Sequence, residues 1–133
     1  MPIALGSGLS DQAGDAAMPK FLAVFTMTPD SLARFRSLPK AEQDAIDAAG
    51  VPQWMAWEER HAAAIVHYGG MVGKTTRVTR EGIAPATNTI CGYLIVEAHT
   101  AEAAARLFED HPHITIFPGD SVDIMPFVTE LRA

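Results

Sequence analysis

Cys91 is the only cysteine in this sequence. A lone cysteine excludes an intrachain disulfide framework and any cysteine-rich metal site. Cations are scarce as well: ten Lys and Arg against sixteen Asp and Glu leave a formal net charge of −6. No basic run interrupts that balance. Nucleic-acid affinity comes largely from neutralising phosphates, so no nucleic-acid partner is expected. No basic residue precedes Lys20, so the charged n-region of a secretion signal is missing. No uninterrupted apolar run approaches the ~20 residues needed to cross a bilayer. Together these absences predict a cytoplasmic protein with no membrane partner.

What remains is an ordinary globular composition. The 133 residues are 48% hydrophobic, 20% charged and 8% aromatic. That length suits one domain, and a domain of this size buries roughly two-thirds of its unfolded surface. Residues 1–19 are small, polar and without sustained period, and read as an N-terminal extension. Residues 20–133 read as a single domain with no internal repeat.

The hydrophobic pattern predicts its elements. Residues 20–27 (KFLAVFTM) read as a strand stopped by Thr28-Pro29-Asp30. Thr28 caps a helix with Pro29 at its first position. A second helical piece starts at Pro39 and ends at Gly50, and a third runs from Pro52 to about Tyr68. On that third piece Trp54, Trp57, His61, Ala64, Ile65 and Tyr68 fall on one arc, and His67 falls on the outer arc. Residues 71–79 read as a polar edge strand, 80–91 as a long connection, and 92–98 (GYLIVEA) as the clearest strand. Thr100 caps another helix, which Pro112 ends. Residues 112–120 read as a loop and 121–125 as the last strand. The order is strand, helices, strand, strand, helix, strand. This is the split βαβ plan of a ferredoxin-like α+β domain, with an antiparallel sheet and helices on one face.

A half-exposed sheet should alternate apolar with polar. The first strand instead sets Phe21, Ala23, Phe25 and Met27 on one face and Leu22 and Val24 on the other. The strand at 92–98 sets Tyr93 and Ile95 against Leu94 and Val96. Each such side chain gains roughly 1.5–3 kcal/mol on burial, and monomers rarely leave large apolar patches bare. The expected partner is a second copy, in a homodimer joined through the sheet.

The stretch Gly92–Ala98, the helix with Glu102-Ala103-Ala104, His111-Pro112-His113 and Val122-Asp123-Ile124-Met125-Pro126 resemble the YCII-related family. The Trp54/Trp57 helix followed by Gly69-Gly70 is similar to the same pattern. These are small dimeric α+β-barrel proteins that include the DGPF-type members, and the resemblance covers residues 20–128. It implies a fold, a dimer and a pocket between helices and sheet. The DGPF tetrapeptide itself is absent, since residues 82–91 read GIAPATNTIC where it would lie. The His–Asp pair proposed as a catalytic dyad in some members has no matching position here.

Candidate chemistry gathers around the histidines. His61, between Trp57 and Ile65 on the packed stripe, reads either as a pocket acid/base or as a satisfied core histidine. Trp57 is either a ligand wall or a core contact. Asp123 alternates out of an apolar row, and paired with a histidine it makes the acid/base candidate. His113 is expected at a pocket mouth, with His111 ending the helix. No metal is expected there, because HPH has no ligand spacing comparable to two histidines on one helical face. Lys74 either holds a carboxylate-bearing ligand or protects a strand edge. Cys91 has no basic neighbour that would make it a nucleophile. Gly69–Lys74 lacks phosphate-loop spacing, and no cofactor is expected. The expected function is binding of a small polar metabolite, with cofactor-free acid/base chemistry by His61 and Asp123 and ligand contacts from Trp57, Lys74 and His113. The alternative is a non-catalytic dimeric binding or assembly module.

Overall fold

The computed structural model describes residues 18–132. The expected extension therefore lies outside the described residues, apart from Met18 and Pro19. Strand β1 (Lys20–Thr26) leads into helices α1 (Pro29–Arg36) and α2 (Lys40–Arg60). A 3-10 turn (Ala62–Ala64), β2 (Ile65–Met71), β3 (Thr75–Thr79), β4 (Gly82–Ala86) and β5 (Ile90–Glu97) follow. The chain closes with α3 (Ala101–Arg106), a helical turn α4 (Pro112–Thr115) and β6 (Ser121–Pro126). The main sheet has the order β2-β5-β1-β6, and every pairing in it is antiparallel. Each helical connection thus skips over one strand, which agrees with the expected α+β class and is consistent with a ferredoxin-like plan.

Several expectations change. The pieces 39–50 and 52–68 are one helix, α2, running through Pro52 and ending at Arg60. Proline withdraws a single N–H donor, and the helix continues past it. Residues 65–71 form the edge strand β2 instead of a final helical turn. There Gly69 takes a φ of 62° against the Tyr93 carbonyl, a position a side chain could not share. Residues 75–79 belong to a separate two-stranded ribbon, β3–β4, and not to the main sheet. The long connection predicted over 80–91 contains its second strand. Thr76, Val78, Ile83 and Pro85 share one face of that ribbon, and Val78 and Ile83 are each 74% exposed.

Capping follows the expected chemistry. The Thr28 hydroxyl accepts from the Ser31 N–H, with Pro29 at the first helical position. Thr100 does the same for Ala103. Residues 112–115 form a helical turn where a loop was expected, because His111 Nδ1 accepts the His113 N–H.

The core lies between helices and sheet. Phe21, Ala23, Phe25, Leu94 and Val96 face Trp57, Ala104 and Phe108. The other sheet face carries Leu22, Val24, Tyr93, Ile95 and Met125, as the apolar pattern on both faces requires. It is less bare than the strand pattern predicts: Val24 and Ile95 are only 6% and 9% exposed. A half-buried Lys20–Glu97 pair, at 4.0 Å, stands beside them on that face. No helix among the described residues is long and apolar enough to cross a membrane.

Candidate functional site

An aromatic and imidazole cluster fills the layer between α2 and the sheet. Phe25 sits at its middle, with ring centroids 5.0 Å from Trp54, 5.0 Å from His111 and 5.2 Å from His113. Two parts of this cluster differ in character.

The closed part surrounds Trp57. This indole is 2% exposed, and its Nε1 donates to the Leu107 carbonyl at 2.9 Å. His61 stacks on it at 4.6 Å, and His111 meets it edge-on at 4.6 Å. His111 is fully buried. Its Nδ1 accepts the His113 N–H at 2.9 Å, so the neutral ring carries its proton on Nε2. That Nε2 and His61 Nδ1 are buried without a hydrogen-bond partner among the described residues. Burial, reinforced by the neighbouring His113 and His61, pushes His111 down to about 3. Burial and the nearby Arg60 also lower His61. Both rings are therefore neutral at physiological pH.

The open part surrounds Trp54, one turn earlier on α2. A cavity of about 370 Å³ is lined by Met27, Asp47, Val51, Trp54, Met55, Met71, His113 and Phe117. A second, of about 280 Å³, is lined by Phe25, Trp54, Glu58, Tyr68, Gly69, Gly70, Met71, Tyr93 and Leu94. Trp54 and Met71 belong to both linings, so the two spaces adjoin. Phe117 reaches the first cavity because Gly50 has no Cβ, which would collide with its ring.

His113 is the polar group best fixed at this site. The Thr26 carbonyl can only accept, so His113 Nε2 is the donor of their 2.8 Å hydrogen bond. The lone pair of the neutral ring then sits on Nδ1. Burial lowers the proton affinity of His113, partly offset by the bond to Thr26. The turn beneath it is held tightly. The Gly119 N–H donates to the His113 carbonyl at 2.9 Å, and a Cβ on Gly119 would strike the ring. Asp120 accepts from the Thr28 N–H at 2.6 Å and from the Ser31 hydroxyl at 3.0 Å. The Thr28 bond is the main reason its carboxyl is held below the usual range. The loop carrying His113 is thereby tied to the start of α1.

Of the residues expected at a site, the structure brings His113 to a cavity. Trp57 and His61 line neither cavity and lie in the closed cluster. Asp123 and His61 are not brought together. Asp123 pairs with Val24 on the sheet face away from the helices, is exposed, and accepts from the Ser121 hydroxyl at 2.8 Å. The alternation of β6 forces this, because Val122 and Ile124 face the core. Lys74 is exposed in the link between β2 and β3 and lines neither cavity, because β2 ends before it. His67 lies on β2, where its Nε2 meets the Tyr93 hydroxyl at 3.4 Å. Glu58, Asp47 and the thioethers of Met27, Met55 and Met71 were missed. The i, i+4 spacing of Asp47, Val51 and Met55 was the available signal on α2.

Among the described residues, no group of three or more His, Cys, Asp or Glu side chains is placed to hold a metal ion. No family model matches the chain, and no curated protein matches it.

Proposed function

We propose that the chain binds a small molecule with an apolar, ring-sized body in the cavity between α2 and the sheet. The observation that carries this is the volume of about 370 Å³ walled by Trp54, Phe117, Val51 and three methionines. Small-molecule sites have this size and this mostly apolar character, with few polar groups fixing orientation. Methionine walls adapt to a guest at little cost. His113 supplies the polar contact: a neutral imidazole whose Nδ1 lone pair accepts a proton or a hydrogen bond from the guest. Acid/base chemistry without a cofactor therefore centres on His113, with Asp47 as the carboxylate in the same wall.

Indole, with an apolar ring and one N–H donor, is a suitable probe. A ligand that binds only the folded form raises the melting temperature by mass action. Millimolar indole is expected to stabilise the protein, and Val51→Trp, which fills the cavity, to abolish that stabilisation. No stabilisation of the parent protein, or full stabilisation of the filled variant, overturns this reading.

The homodimer belongs to the same reading, as does membership of the YCII-related family, whose pattern the strands resemble. Leu22 and Tyr93 stay half-buried and Met125 43% exposed on the open sheet face, which leaves apolar surface for a second copy. Sedimentation at micromolar concentration is expected to give a two-chain mass, and a single-chain species overturns it. One observation favours the alternative, an assembly module: the unpartnered apolar face of the β3–β4 ribbon, since two-stranded ribbons alone are marginal in water.

A further inference from the structure

The charges around the cleft all have one sign. Asp47 lines the first cavity and Glu58 the second, and no Lys or Arg lines either. His113 is neutral at physiological pH, because burial lowers its proton affinity. A guest carboxylate would meet no cation here and two carboxylates. A guest cation would meet the reverse, within a chain whose net charge is −6.

The second cavity adds a specific arrangement. Glu58 lines it together with the rings of Trp54, Tyr68 and Phe25, while Tyr93 borders it from the opposite sheet face. Aromatic faces attract cations through their quadrupole, and a carboxylate adds a charge-assisted hydrogen bond to any ammonium N–H. Glu58 is half-buried and forms no ion pair with a described residue. The Gly69–Gly70 backbone gives this chamber a wall without side chains on the β2 side.

We infer that the guest is an amphipathic amine, with its ring in the Trp54–Phe117 cavity and its ammonium group in the adjoining chamber, against Glu58 and Tyr68. This rests on the binding reading above and names its ligand class. Because the two cavities share Trp54 and Met71 in their linings, a short tether between ring and nitrogen joins the two positions.

Tryptamine and 3-ethylindole test this directly, since they share a ring and differ in the ammonium group. Titration calorimetry at low salt is expected to show tryptamine binding about tenfold more tightly. Indole-3-propionate, the anionic counterpart, is expected to bind most weakly. Glu58→Gln keeps the side-chain shape and should bring tryptamine and 3-ethylindole to equal affinity. If 3-ethylindole binds as tightly as tryptamine to the parent protein, the amine inference is overturned and the apolar cavity stands. If the preference for tryptamine survives Glu58→Gln, the assignment to Glu58 is overturned. If neither these compounds nor indole bind, the binding reading falls with it.

Discussion

Trp54 and Trp57 stand one turn apart on the same helix, and their surroundings are opposites. Trp57 is enclosed by Phe108, His61 and His111, with its N–H satisfied by Leu107. Trp54 touches Phe25, His111 and Phe117 but leaves both cavities open along its remaining surface. The difference lies in what faces each ring. Opposite Trp57, the chain after α3 brings in rigid rings. Opposite Trp54, the layer ends at Met27 and Met71, whose flexible thioethers leave space. Adjacent aromatics on one stripe can thus differ in role, one enclosed in the core and the other walling a cavity.

The sharpest way to break this comparison is to truncate each indole. Trp57→Ala removes a 2%-exposed ring from the core. Such truncations cost about 4 kcal/mol, a fall of roughly 15 °C in Tm for a domain of this size. Trp54→Ala removes a half-buried ring already bordered by open space, and is expected to cost about 1–2 kcal/mol while abolishing stabilisation by indole. Thermal melts with and without indole read both effects. Equal losses of stability, or indole stabilisation that survives Trp54→Ala, erase the distinction.

The same contrast explains what could be read from the sequence. The class of fold was legible because β1 and β5 are short, strongly apolar runs flanked by caps and prolines that behave as their chemistry dictates: Thr28, Pro29 and Thr100. Helical periodicity also put Trp54, Trp57 and His61 on one stripe. It did not say where along the stripe the opposing layer would end, which is a tertiary fact set by Met27, Met71 and Phe117. The end of α2 was missed because Ala62–Ala64 favours helix locally. The pairing of Ile65–Met71 with β5 overrides that preference just beyond it. Asp123 was ambiguous because alternation shows that a residue leaves the apolar row, and not which face the helices cover. The charge of the cleft was within reach, since Asp47 and Glu58 are both on α2, but only the assembled cavities show that no cation answers them.

Acid sharpens the comparison from the other side. His111 has a folded value of about 3, below its ordinary 6.5, so protons bind more readily to the unfolded chain. Its neutral form contributes full stability above about pH 6.5, and that contribution declines as pH falls towards 3. By pH 5 the loss from this ring alone is on the order of 2 kcal/mol. His61 and His113 are lowered in the same direction and add to the slope. His111→Asn keeps an acceptor for the His113 N–H but no titrating ring. Its baseline stability is expected to be lower, and its stability between pH 6.5 and 5 flatter, in urea titrations across that range. Indole affinity is expected to change less than stability over the same interval, because His111 lines neither cavity. A variant slope as steep as the parent's would move the acid-sensitive group out of the Trp57 cluster. Indole binding that weakens in step with stability would mean that the closed and open parts titrate as one.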